Sequence, residues 1–278
     1  MKTAVYTICK NELPNLERWL HYGKAYTYRV LLDTGSTDGT WETLQELAKT
    51  DPNLLIQQRF IRPWKFDVAR NYNLSMVPNE VDWCLSPDLD EFFTINTLDV
   101  LAAHIYQNPS ITNLACARMD IYSYNPRVGP PYLSPTNKIH RRHDYIWTQP
   151  IYEHLWWKHD NDLEVEIYSP DIYLIHDQDF KKAERPELYL NMLLEEYQEN
   201  PTNTWCLWYL MVHYHKHTDM ENYVACACDF LRYHHTHTDD RYASTVRELI
   251  NIYTHKPAEA TPEILASLQD ILSEIGIL

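Results

Sequence analysis

Glycine is scarce in this chain, with 5 among 278 residues. That scarcity excludes the glycine-rich phosphate loops of the Walker and dinucleotide types, which need several glycines at fixed spacing so that backbone amides can approach a phosphate. Long apolar runs are absent too. Hydrophobic residues make up 45% of the chain, enough for a sizeable core, yet no segment approaches the about 20 consecutive apolar residues that span a bilayer. Positive charge is in deficit, 24 Lys and Arg against 39 Asp and Glu, for a formal net charge of −15. Unaided wrapping of a nucleic acid is therefore disfavoured, because neutralising the phosphate backbone supplies most of that affinity. One local basic cluster remains, Lys138, Arg141 and Arg142, with His140 and His143 among them. The six cysteines are scattered through apolar runs, as reduced core thiols are. Met1 leads straight into strand-like sequence without a charged, apolar and small-residue leader. A cytoplasmic protein is expected.

The first half alternates strand and helix signals. Residues 2–9, 29–33 and 53–57 read as strands, and 82–88 as a fourth strand ending in a turn. Helices are expected from Pro14, with Leu16, Trp19 and Leu20 on one face, over 40–50, and over 67–76. Strand alternating with helix predicts a mainly parallel sheet covered on both faces, an α/β fold of Rossmann-like type. Strands are also expected at 113–119, 138–142 and 172–176, set among aromatic-rich loops. From residue 184 the period turns helical, with five helices near 184–199, 203–217, 220–234, 240–254 and 262–275. Short helices of this kind predict an all-α helical-hairpin tail, loosely tetratricopeptide-like. The expected division is a catalytic domain over 1–180 and a helical extension over 181–278.

Ligands of such sheets sit beyond the carboxyl ends of the strands. Cys9-Lys10-Asn11-Glu12, Asp33-Thr34-Gly35 and Asp88-Leu89-Asp90 all fall there, so three polar clusters converge on one pocket. Asp88 and Asp90, one residue apart in Asp88-Leu89-Asp90-Glu91, can present oxygens to a hard cation; Mg²⁺ and Mn²⁺ both favour oxygen ligands and bridge carboxylates to nucleotide phosphates. Asp33 is placed to accept hydrogen bonds from a base or ribose, or simply to cap its turn. Asp38 has the weaker claim, since it can cap the following helix. Arg70 offers paired donors to phosphate or sugar oxygens, with a salt bridge to Asp67 or Glu91 as its alternative.

Four blocks, Thr7-Ile8-Cys9-Lys10-Asn11-Glu12, Leu32-Asp33-Thr34-Gly35-Ser36-Thr37-Asp38-Gly39-Thr40, Phe66-Asp67-Val68-Ala69-Arg70-Asn71 and Asp88-Leu89-Asp90-Glu91, resemble in order and spacing a family-2 glycosyltransferase of the GT-A fold. The likeness continues weakly through 147–155, where the family has a His-Glu pair and this chain has Tyr152-Glu153-His154. Further on, Ile175-His176 and the helical tail resemble a bacterial and phage-type subgroup. The resemblance implies an inverting sugar transfer from a nucleotide-activated donor, most often a UDP-sugar, with Mn²⁺ or Mg²⁺. It implies a nucleotide-sugar site made of Ile8, Asn11, Glu12, Asp33, Asp38, Arg70 and Asp88, and a metal site of Asp90, Asp88 and His176. Inverting transfer also needs a carboxylate that takes the acceptor's proton. Glu153, in apolar surroundings, is the expected base, with His154 as alternate and Asp144 third; a salt bridge from Glu153 to Arg141 or Arg142 is the structural alternative. The aromatics around 147–157 can stack on a sugar or pack a core.

Two competing functions differ in kind: a nucleotidyltransferase, disfavoured by the missing basic glycine-rich loop, and a degenerate module that binds through its helical tail. The acceptor stays open among a saccharide, a protein and a modified nucleobase. Self-association or a protein partner through the tail is open as well. His213 and His217, four apart on a helix, suit a zinc edge but lack an accompanying carboxylate. Cys226 and Cys228 point to different helix faces and make no zinc knuckle.

Overall fold

The computed structural model describes residues 1–120, 133–160, 163–177, 186–234, 240–255 and 261–277. In chain order the elements are β1 (Thr3–Cys9), α1 (Leu13–Gly23), β2 (Tyr28–Asp33), α2 (Thr40–Ala48), β3 (Leu54–Gln58), α3 (Phe66–Met76), β4 (Trp83–Leu85), β5 (Glu91–Phe93), α4 (Thr97–Gln107), β6 (Asn113–Asp120), β7 (Leu133–Thr136), β8 (Ile139–Arg141), β9 (Tyr145–Thr148), β10 (His154–Trp157) and β11 (Glu166–His176). Five helices follow: α5 (Pro186–Glu199), α6 (Thr204–Lys216), α7 (Met220–Tyr233), α8 (Asp240–His255) and α9 (Pro262–Glu274). The chain divides into two compact units, Met1–Ala183 and Glu184–Leu278.

The first unit carries a nine-stranded sheet in the order β3-β2-β1-β4-β8-β6-β11-β5, with β7 on β6. Its first four strands are parallel, as the strand–helix alternation predicts. Beyond β4 the sheet turns mixed: β8 runs antiparallel to β4 and β6, β11 is parallel to β6, and β5 is antiparallel to β11. Burial on both faces explains the apolar β1, because alternate side chains feed different layers. Ala4 and Tyr6 join Val30, Leu74, Cys84 and Trp147 on the α3 side. Val5 and Cys9 join Leu16, Trp19, Leu31 and Leu44 on the α1 and α2 side.

The second unit packs α6 against α7 and α7 against α9 through Leu207, Leu210, Val224, Ala227, Leu231, Leu268 and Ile271. Cys226 and Cys228 are both buried there, as core thiols. Among the described residues no helix is long and apolar enough to cross a membrane.

Candidate active site

The carboxyl ends of the parallel strands hold the polar clusters, and each is tied into place by its neighbours. Asn11, at a left-handed φ of 58°, accepts from Thr37 N at 2.8 Å, and its own amide donates to Ser36 Oγ at 2.8 Å. The β1 and β2 loops are thereby joined. Glu12 is buried and accepts from Asn15 Nδ2 at 2.9 Å, while its amide donates to Thr40 Oγ1 at 3.0 Å. Asp38 accepts from Leu13 N, Thr40 N and Thr40 Oγ1 at 3.1, 3.0 and 2.6 Å. Burial works against its charge, but the Thr40 and Leu13 bonds prevail and hold its carboxyl below the usual range. Asp38 thus fixes the starts of α1 and α2. Asp33 has no exposed surface; its Oδ1 accepts from Gly35 N, Ser36 N and Gln58 Nε2 at 2.9, 3.0 and 2.9 Å. The turn-capping role anticipated for Asp33 is present. Ile8 lies half-buried near the end of β1, opposite Leu32.

The strand expected over 82–88 ends at Leu85, and a turn over 88–91 follows. Glu91 N donates to Asp88 O and Asp88 N to Glu91 Oε2, both at 2.9 Å. Leu89 is buried in the core between the two aspartates and anchors this turn. Asp88 accepts from Arg70 Nη2 at 2.9 Å and from Lys138 Nζ at 3.2 Å. Lys138 also donates to buried Glu91 at 2.6 Å. Burial opposes ionisation of Asp88, yet Lys138 and Arg70 outweigh it and hold the carboxyl far below its ordinary range.

Arg70, on the first turns of α3, joins two parts of the crevice. Its Nε donates to Glu153 Oε1 at 2.5 Å, its Nη2 to Asp88, and its guanidinium lies 4.7 Å from the Trp147 ring centroid. Nη1 is buried and meets no hydrogen-bond acceptor. Glu153 therefore faces a guanidinium rather than the apolar surroundings expected of it, and the partner is Arg70 rather than Arg141 or Arg142. Glu153 comes just before β10 of the β9–β10 hairpin, after Tyr152 at a left-handed φ of 55°. That hairpin is pinned to α3 by Asn71, which accepts from Trp147 N at 2.8 Å and donates to Trp147 O at 2.7 Å. Beneath lies a buried relay: Trp147 Nε1 donates to Tyr6 Oη at 2.8 Å, Tyr6 Oη to His140 Nε2 at 2.9 Å, and His140 Nδ1 to Arg141 O at 2.9 Å. His154 contacts Thr148 Oγ1 through Nε2 at 3.3 Å, on the hairpin rather than on Arg70. Asp144 pairs with His159 at 3.1 Å.

His176 reaches the site through an irregularity in β11. Register against β6 jumps between Ser169 and Tyr173, around Pro170, which has no amide to donate to a ladder. The strand resumes with His176 opposite Glu91 of β5. Its Nε2 lies 3.5 Å from Asp90 Oδ2, and both residues are buried. Among the described residues no three carboxylate, imidazole or thiol groups converge as a metal cage. Asp90 and His176 fit a divalent cation as a facing oxygen and nitrogen pair. Asp88 does not fit as a direct ligand in this arrangement, because each of its oxygens already holds a cationic side chain. Arg118 Nη2 lies 2.9 Å from His176 Nδ1; arginine only donates, so Nδ1 accepts and the neutral ring carries its proton on Nε2. A metal on Nε2 would need Arg118 withdrawn from Nδ1.

The basic cluster read from the sequence is not a surface patch. Lys138 is consumed by Asp88 and Glu91, Arg141 by the carbonyls of Ile111 and Pro109, and Arg142 by that of Val77. His140 is fully buried. Strand alternation explains the misreading, since neighbours in β8 leave it on opposite faces. Lys138, Glu91 and Arg118 were missed as members of the acidic centre; their pairing joins β5, β6 and the approach to β8, and no sequence spacing announces it. His213 and His217 do lie together, ring centroids 4.5 Å apart.

A parallel α/β half-sheet with an acidic turn after β4, continued by a mixed half-sheet that brings in an imidazole and joined by a separate hairpin that brings in a carboxylate, defines a GT-A fold. The chain belongs to glycosyl transferase family 2, whose profile matches residues 4–159. No curated protein is significantly similar in sequence. Among solved structures, the crystal structure of S. aureus TarS 1-349 is similar in fold, with a TM-score of 0.57 at 15% identity, covering 99% of this chain and 91% of that one. The same TarS fragment in complex with UDP-GlcNAc matches to the same extent. A further crystal structure of S. aureus TarS gives a TM-score of 0.55 at 14% identity, covering 97% of this chain and 55% of that one.

Proposed function

We propose that the chain transfers a sugar, with inversion, from a nucleoside diphosphate sugar to an acceptor hydroxyl, and that Glu153 is the base. The observation that carries this reading is Arg70, whose single guanidinium holds Glu153 on one side and Asp88 on the other. It sets a proton-accepting carboxylate beside the carboxylate of the acidic turn. Glu153 takes the proton from the acceptor hydroxyl, the freed oxygen attacks the anomeric carbon, and the bond from that carbon to the diphosphate oxygen breaks. Arg70 Nη1, buried without an acceptor, is a donor that a phosphate or sugar oxygen would satisfy. Asn11 and the Ser36–Thr37 turn supply hydroxyl and amide partners along the crevice, with Ile8 and Glu12 shaping its β1 wall. Asp33 and Asp38 hold that wall in shape.

Asp90 and His176 would hold a Mn²⁺ or Mg²⁺ ion, which when bound neutralises charge on the leaving diphosphate. Asp88 orients Arg70 and faces the ribose. UDP is the favoured nucleotide, consistent with the UDP-GlcNAc complex of the structurally similar TarS. A thermal-shift panel of nucleoside diphosphates and their sugars, each with and without Mn²⁺, tests the reading, because a ligand that binds only the native state raises Tm. A Mn²⁺-dependent rise with one nucleotide is expected. Absence of any rise would instead favour a degenerate binding module.

A further inference from the structure

The C-terminal end of α6 carries three histidines, His213, His215 and His217, and they do not play the same part. His215 turns to α7, its ring 5.5 Å from that of Tyr223 between centroids. His213 and His217 are one helical turn apart, which puts them on one face. Their rings meet each other, with centroids 4.5 Å apart and planes 36° apart. His213 is half-buried and His217 exposed. Among the described residues neither imidazole has a hydrogen-bond partner. The backbone holds their spacing: His217 N donates to His213 O at 3.2 Å, Thr218 N to His215 O at 3.2 Å, and Asp219 N to Tyr214 O at 3.0 Å. The last two bonds, with Thr218 at a φ of 57°, form the left-handed helix cap in which glycine usually takes Thr218's place. A β-branched residue seldom adopts that conformation, so α6 is closed by a strained cap.

Two adjacent imidazoles without hydrogen bonds are a chelating pair. Ligation requires the neutral ring. Burial, reinforced by His217 and Lys216, holds His213 below the usual histidine range, against a weaker pull from Asp219. The carbonyl end of a helix carries partial negative charge and favours a cation there; Asp219 adds to that field and Lys216 opposes it. Asp219 is itself committed to the start of α7, where it accepts from Asn222 N at 3.2 Å and Asn222 Nδ2 at 2.8 Å. Among the described residues no third imidazole, thiol or carboxylate joins the pair, so water completes the shell of a bound ion. Nitrogen donors disfavour Mg²⁺ and Ca²⁺, which want oxygen, and suit Zn²⁺, Cu²⁺ and Ni²⁺. We propose that His213 and His217 form a site for a divalent transition-metal ion of the Zn²⁺ class, held through two imidazole nitrogens. The ion clips the last turn of α6 shut beside the strained Thr218 cap. This site differs in chemistry from the Asp90 and His176 pair and stands or falls independently of the transferase reading.

The test is a Cu²⁺ titration followed by electron paramagnetic resonance in wild type, His213→Gln, His217→Gln and His215→Gln, with Mg²⁺ in excess to occupy oxygen ligands elsewhere. Wild type is expected to bind one ion with the superhyperfine pattern of two nitrogens. His213→Gln and His217→Gln each remove the chelate and should weaken that binding roughly a hundredfold, while His215→Gln leaves it unchanged. Zn²⁺ should likewise raise the Tm of wild type and His215→Gln by more than that of the other two variants. His217 is exposed, so His217→Gln leaves the fold intact, and the Tm of each metal-free variant checks this. A two-nitrogen signal that survives in either His213→Gln or His217→Gln, or that disappears in His215→Gln, overturns the site. So does a wild type without that signal.

Discussion

Arg70 bonds Glu153 through Nε and Asp88 through Nη2, so its geometry counts as much as its charge. A lysine cannot serve two carboxylates and keep a flat face on Trp147. Charge-assisted hydrogen bonds contribute about 1.5–3 kcal/mol each, so Arg70→Lys should lower kcat/KM about tenfold or more while circular dichroism stays that of the wild type. Glu153→Gln keeps the shape and removes the base. Sugar transfer to the acceptor should fall by about 10²–10⁴-fold with nucleotide Kd unchanged; a matched loss of donor binding would make Glu153 a donor-side residue. Asp90 needs a gentler variant than alanine. The sequence suggests an exposed strand-end carboxylate, but Asp90 is 5% exposed and faces His176. Asp90→Asn should abolish Mn²⁺ binding, read by electron paramagnetic resonance, with less risk to the fold. Retained Mn²⁺ affinity would remove Asp90 from the metal site.

Elements of the parallel half were legible because their signals are local. Capping residues, Pro14 and the apolar period place α1, α2 and α3 within a few residues of their observed limits, and the helices of the second unit follow the same logic. β5, α4, β7, β9 and β10 were not read. β5 has three residues, too few for an alternation to register. The aromatics of β9 and β10 suggest loops as readily as a hairpin, until pairing shows Trp156 opposite Ile146 and Trp157 opposite Tyr145. The acidic turn, Arg70, Glu153 and His176 were all named as candidates from the sequence, but the partners each takes come from strands far apart in sequence. Caps offer an element-scale check: Asn203 accepts from Trp205 N and Cys206 N at the start of α6. Asn203→Ala should cost about 1 kcal/mol in urea denaturation, whereas no loss would mean the cap is dispensable.

At the scale of the molecule, acid stability is set in part under the site. Burial lowers the His140 pKa to about 4, against the weaker pull of its bond to Arg141 O. The ring is therefore neutral in the fold, while in the unfolded chain it titrates near 6.5. Stability is full above that value and declines as pH falls toward 4, by about 2 kcal/mol at pH 5. His140→Gln should lower Tm at pH 7.5 yet flatten the fall between pH 7.5 and 5; an equal fall in both proteins would place the acid sensitivity elsewhere. The two units invite separate measurement by hydrogen exchange, since each has its own core.

The seam at β4 has a consequence in time. One flank of that strand, β1, is made before it, while the other, β8, lies some fifty residues later. A growing chain can assemble the β1–β3 end of the sheet early, but the ribosome must still add 86 residues after Asp90 to reach and include His176. At about 5–20 residues per second that takes roughly 4–17 s. During that interval the nascent protein carries an acidic turn whose Asp90 still lacks its His176 neighbour, and the sheet waits for its last strand.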